Sequence, residues 1–479
     1  MKRVFLLAVM FLVCTCSMTF AEEVITTGTW KKTPKSVMEY AVNFYGKVSD
    51  GYAVSLTDQY ETKIAVLDNN LNLLRSVTFE PRTKAPIGND GKPAKGSLRS
   101  LLIDNTLEML FADYNKEKNC RIITRRSYDL TSMQLAKEES LCAAIDLEPN
   151  ATDLLGGIRM FDFNDFYCVQ SENKEYIALI TYVLSQFSHC VNLAIYDRNF
   201  NKIAEAPHLD LFRVPKMKAK EAQLKAQDYD YDVNLDDNGK LTFVRSNSKR
   251  FLESDGSDVV VYELSKEGLK QHNFGKPLGA MQYYSPEILQ IKDGKILTFG
   301  IYAPIADLKE FKLEGSCTIE YDLNNDAVQV LEKVPFETAA KGTWRHDFLS
   351  QHNVGSIYGP LFKSSNGWIK ILQSSTAKYG AKPYVSFIDE RGCVKVTHQF
   401  PHSINRPYFS YNDKLYYSVK FKDFIYSIDE NGKSEEYAIP YEHRLYDGLK
   451  MFQENEEKGK WDFLKLVTGS YMIGTVQIK

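Results

Sequence analysis

The chain has 479 residues, with 59 Lys and Arg set against 62 Asp and Glu, for a net charge of −3. So even a balance excludes the basic excess that marks a nucleic-acid surface. At 44% hydrophobic and 25% charged it has the composition of a globular protein, and no run beyond the N-terminus is long and apolar enough for a membrane helix.

In chain order, Met1-Lys2-Arg3 is a short positive start and Val4 to Val13 an apolar stretch too short to span a bilayer. Thr19-Phe20-Ala21 follows, with small residues where a signal peptidase reads them. The expectation is a signal peptide over 1–21, cleavage after Ala21, and a single exported domain over 22–479, periplasmic or extracellular. Val13 and Thr15 precede Cys14 and Cys16, where a lipidation site wants a small residue, so a lipid anchor is not expected.

From there one unit recurs. Its second half is a strand ending in Asp or Glu, a tight turn, and another strand. It reads at Ile64–Asp68, more weakly at Arg121–Thr124 with a turn at Tyr128-Asp129, then at Leu193–Asp197, Val259–Glu263, Thr318–Asp322, Tyr384–Asp389 and Phe424–Asp429. The Asp side chain can bond nearby backbone N–H groups, and the Asn or Gly after it suits the positive φ of a hairpin turn. The first half is another hairpin, with turns at Ser49-Asp50-Gly51, Asp104-Asn105, Glu172-Asn173, Asp237-Asn238-Gly239, Lys292-Asp293-Gly294, Ser365-Asn366-Gly367 and Asn412-Asp413. Four antiparallel strands, A to D, repeated about seven times, predict an all-β, closed β-propeller of four-stranded antiparallel blades, with six or eight blades also open. The hairpin 461–478 either completes or extends the last blade or begins an eighth. Val24–Lys31 is placed to pair with it and close the ring.

The unit resembles those of the bacterial extracytoplasmic β-propeller superfamily, over roughly Val37 to Ile439. The Trp-Asp, paired-glycine and Ser-x-Asp-x-Gly-x-Thr-Trp signatures of the named propeller classes are missing, so the resemblance implies the fold and assigns no site residue.

A–B and C–D turns share one face of such a disc, and B–C and D–A connections the other. The first set is short and the second long, which predicts that a site lies on the long-connection face. The richest segment is Glu337–Gly359, with Trp344, Arg345, His346, Asp347 and His352. Arg and His beside an aromatic suit an anionic or sugar-like ligand. Arg406 and Tyr408, at the start of the seventh innermost strand, and Arg444, after the seventh unit, complete the candidates. Asp228, Asp230 and Asp232 alternate as cation ligands can, but Val233 stands where a calcium loop needs Gly. Lys216–Ala226, just before them, reads as a solvated helical insertion and Asp232–Leu235 as the first strand of the fourth unit, with no metal and no cofactor expected.

Six cysteines follow the signal segment. Cys120 and Cys142 are expected at the same end of neighbouring strands, which predicts a disulfide between them. Cys168 and Cys190 fall on strands A and C with B between, and Cys317 and Cys393 on different blades, so these four are expected unlinked. No G-x-S-x-G, H-E-x-x-H, Walker or Rossmann pattern occurs. The leading reading is therefore an exported, non-catalytic propeller that binds a protein, peptide or glycan through its long-connection face. The alternatives are a polysaccharide-active or other hydrolase or lyase with its site at the central channel, and a structural component of a cell-envelope assembly.

Overall fold

A computed structural model of the chain describes residues 24–32, 40–57, 62–79, 86–87, 92–93, 98–115, 120–141, 145–146, 166–184, 188–213, 228–248, 258–303, 315–335, 352–377, 383–402, 404–419, 424–438, 449–454, 459–467 and 470–478. Among them every regular element is a strand, and no helix is long and apolar enough to cross a membrane. Seven four-stranded antiparallel meanders succeed one another in chain order, the first over Tyr40–Val48, Gly51–Thr57, Thr62–Leu67 and Leu73–Phe79. The last residues form an eighth sheet of their own. Leu449–Glu454 and the hairpin Lys460–Val467/Ser470–Ile478 are joined there by the N-terminal strand Val24–Lys32, which pairs antiparallel with Ser470–Ile478 over its whole length. The C-terminal hairpin thus begins an eighth blade instead of extending the seventh, and Val24–Lys31 pairs where the sequence suggested.

Ring closure is visible in the packing. Strands alternate in side-chain direction, so each blade offers an apolar face to each neighbour. Eight hydrophobic clusters result, one at each junction from blades one and two round to blades seven and eight. The last joins Leu464, Tyr471 and Ile473 of blade eight to Phe44, Val54 and Leu56 of blade one. Fourth strands such as Gln134–Ser140 and Ala327–Pro335 are largely exposed, so they form the rim and the first strands face the axis.

The A–B and C–D turns are short, and side chains tie them from blade to blade. Arg198 reaches from blade three to Asp104 of blade two at 2.8 Å. The Asn173 N–H donates to Asp237 of blade four at 2.8 Å, His272 of blade four meets Asp326 of blade five at 2.6 Å, and the Ser365 N–H donates to Asp413 of blade seven at 2.6 Å. Within the turns Asp acts as expected: one oxygen of Asp68 accepts from the N–H groups of Asn70 and Asn72.

Two local expectations change. Gly fills the left-handed turn position at Gly392 and Gly432, but blades one and three put Leu71 (φ 61°) and Phe200 (φ 64°) there. Both side chains are buried in the junction clusters, and that burial offsets the strain of a left-handed non-glycine residue. In blade two, strand C runs unbroken from Cys120 to Asp129, and the turn comes after it at residues 130–133.

Candidate functional site

The innermost strands of blades two, three and four pair with their B strands in unbroken register. Those of blades one, five, six, seven and eight do not, and the widest jumps are in blades five, six and seven. Register jumps from Tyr284 to Glu287, from Asn353 to Ile357, and from Asn405 to Tyr408. Such breaks free backbone groups from the ladder and re-aim side chains. Two of the three fall on proline, Pro286 and Pro407, which cannot donate to a ladder.

Around the break in blade five, three blades bring three charged side chains together. Asp232 stands on the inner strand of blade four (Asp228–Leu235). Its two oxygens accept from the N–H groups of Ile288 in blade five, at 2.7 Å, and of Val233, at 2.9 Å. Glu287, next to the break, pairs with Lys370 on the second strand of blade six (Gly367–Ala377), whose ammonium also donates to the Gly359 carbonyl at 2.5 Å. The Lys370 side chain is 4% exposed and that of Glu287 21%. One Glu287 oxygen is buried with no hydrogen-bond partner among the described residues.

Burial raises the pKa of Asp232 to about 6. The negative charge of Glu287 adds to the rise, while the two N–H bonds and Lys370 oppose it. Burial raises Glu287 as well, outweighing the nearby ammonium. Two carboxyl groups with one cation between blades can therefore hold and release a proton close to neutrality. Among the described residues no group of His, Cys, Asp and Glu is arranged to hold a metal ion.

Trp344, Arg345, His346, Asp347 and Arg444 lie outside the described residues. The backbone of His352 opens the inner strand of blade six, and that of Arg406 lies in the register break of blade seven. Tyr408, just after that break, packs against the cluster between blades six and seven. The structure thus groups Arg406 and Tyr408 at one break of an inner strand, and adds Asp232, Glu287 and Lys370, which the sequence reading did not nominate. Asp232 lies on the inner strand of blade four, where the sequence places a strand from Asp232 to Leu235, and it ties two blades together. The signal for this region was present in the prolines of Tyr284-Ser285-Pro286-Glu287 and Asn405-Arg406-Pro407-Tyr408, and in a lone Lys370 between Ile369 and Ile371.

Cys142 and the side chain of Cys120 lie outside the described residues, so their bridge stays a proposal. Strand B separates Cys168 from Cys190, and Cys168, Cys317 and Cys393 are free thiols.

These features define the class: a β-propeller with a charged cluster of Asp232, Glu287 and Lys370 between blades four, five and six. No family model and no curated protein sequence matches the chain. Solved structures that resemble it include BamB from Moraxella catarrhalis, at 8% identity and a TM-score of 0.41, over 95% of this chain and 100% of that one. The polysaccharide lyase Uly1 matches at 10% identity and 0.39, over 93% and 100%. Prolyl oligopeptidase B from Galerina marginata matches at 9% and 0.40, over 89% of this chain and 55% of that one. These are likenesses of fold, and no residue role follows from them.

Proposed function

We propose that the chain is an exported, non-catalytic propeller that binds a protein, peptide or glycan through the face bearing its long connections. The observation that carries this reading is the contrast between the two faces. One consists of short turns tied from blade to blade. From the other leave the long connections, among them residues 80–97, 214–227 and 336–351. A rigid disc with its spare chain on one side suits recognition by loops. Trp344, Arg345, His346, Asp347, His352, Arg406, Tyr408 and Arg444 supply the aromatic and charged contacts on that side.

The experiment is a glycan array run beside a peptide array, followed by Trp344→Ala and Arg345→Ala on any ligand found. Loss of an aromatic or arginine anchor is expected to weaken binding by about tenfold or more. Binding unchanged in both variants removes this segment from the site. A second reading, an enzyme acting on polysaccharide at the channel, draws its support from the Asp232–Glu287 pair. It requires product release that Glu287→Gln abolishes.

A further inference from the structure

The outermost strand of each blade is a sheet edge, and an edge left plain is a template for another strand. Charged side chains, lysine above all, and proline are what blunt such edges. Six of the eight outer strands carry lysine, at Lys31, Lys137, Lys202, Lys270, Lys333 and Lys395. A seventh, Ser434–Ala438, carries Glu435 and Glu436. The outer strand of blade one, Leu73–Phe79, has no lysine, no acid and no proline. Its single charge is turned aside. The Arg75 guanidinium donates to both oxygens of Asp50, at 2.5 and 2.9 Å, and to the Leu130 carbonyl of blade two, at 2.5 Å.

The same strand holds the two most exposed large apolar side chains among the described residues, Leu73 at 52% and Leu74 at 47%. Leu74, Ser76 and Thr78 are exposed, whereas Arg75 and Val77 are half-buried, with Val77 packed against the cluster between blades one and two. One face of the strand is therefore held by the next blade, while the other is open. No further strand pairs with its outer edge among the described residues.

We propose that this edge pairs with the same edge of a second copy of the chain, antiparallel about a two-fold axis at Ser76. A two-fold contact is made by one surface with itself. Facing residues in a sheet must point to the same side, so each two-fold register sets one residue opposite its own copy. Only the register centred on Ser76 pairs all seven residues of Leu73–Phe79. It sets Leu73 opposite Phe79, Leu74 opposite Thr78 and Arg75 opposite Val77, so no charge meets its like. The same operation on Ser434–Ala438 sets Glu436 against its own copy, and on Gln134–Ser140 it sets Lys137 against its own copy. Those edges repel themselves, and that of blade one does not. One pair of short edges buries less than the roughly 1,200 Å² of a standard interface, so the dimer is weak and the dilute chain is a monomer.

The test is sedimentation velocity of the full chain under reducing conditions. Monomer is expected to pass to dimer as concentration rises to the order of 0.1 mM. Ser76→Lys sets like charges across the axis and is expected to weaken association about tenfold or more, with an unchanged unfolding midpoint, while Ser76→Thr keeps it. If the midpoint of Ser76→Lys moves, a cross-link decides the matter. Facing Cα atoms about 4.5–5.5 Å apart suit a disulfide, so oxidised Ser76→Cys is expected to give a dimer joined at position 76 in both copies, read by mass mapping. A chain that stays monomeric throughout, equal association in Ser76→Lys, or oxidation of Ser76→Cys without that link overturns the proposal.

Discussion

Deleting residues 24–32 is expected to open the ring. That strand supplies the fourth position of blade eight, and its nine residues pair in sequence from Val24 opposite Ile478 to Lys32 opposite Ser470. A net contribution of about 0.5–1.5 kcal/mol per ladder bond makes the loss several kcal/mol. That is a large part of the roughly 5–15 kcal/mol that holds a domain together. The deletion also leaves Ser470–Ile478 as a bare edge, a template for association between molecules. The expected outcome is a lower and broader urea transition together with higher oligomers in size-exclusion chromatography. A synthetic peptide of residues 24–32 restores the monomer by adding the missing strand in trans. An unaltered transition in the deleted chain contradicts this assignment of the strand.

The second large effect concerns acidity. Asp232 has a folded pKa of about 6 against roughly 3.9 in an unfolded chain. A carboxyl raised on folding favours the fold while it is protonated. Its contribution is complete below about pH 4 and is lost as pH rises through about 6. The difference of about two pKa units corresponds to about 3 kcal/mol. Asp232→Asn removes this titration but also costs one of two acceptor oxygens, so the variant starts out less stable in acid. From pH 4 to pH 7.5 the balance is expected to shift towards the variant by about 3 kcal/mol, read from urea midpoints across the range. Glu287, raised in the same direction, leaves a smaller slope of the same sign in both proteins. A wild-type profile that rises from pH 4 to pH 7.5 and runs parallel to the variant's refutes the assignment.

The blade architecture could be read from the chain because its signals are local. An apolar strand, a closing Asp and a turn lie within a dozen residues, and seven copies give the register of seven blades. The eighth is different. Its strands come from both ends of the chain, so the pairing of Val24–Lys31 with the C-terminal hairpin is suggested by the need to close a ring and by no local feature of the strand. Locality did hide the cluster of Asp232, Glu287 and Lys370. Each looked like an ordinary strand residue, and only the ring brings blades four, five and six together. Loop composition drew attention instead to Trp344, Arg345 and their neighbours, because polar and aromatic residues stand out most where no strand pattern accounts for them. Proline inside inner strands was a usable cue, since Pro286 and Pro407 each mark a register break. The left-handed turns of Leu71 and Phe200 were hidden because burial in a neighbouring blade outweighs a local preference for glycine.

Closure of one ring by the N-terminal strand underlies the common face of the long connections and the meeting of blades four, five and six at Asp232, Glu287 and Lys370. It is tested most directly by placing cysteines at Thr27 and Thr475, which stand opposite each other across that closing pair. Oxidation followed by mass mapping should give a monomer with the peptides around positions 27 and 475 joined in high yield. Failure of the two to link, or linkage only between molecules, would show that the ends of this chain do not share a blade.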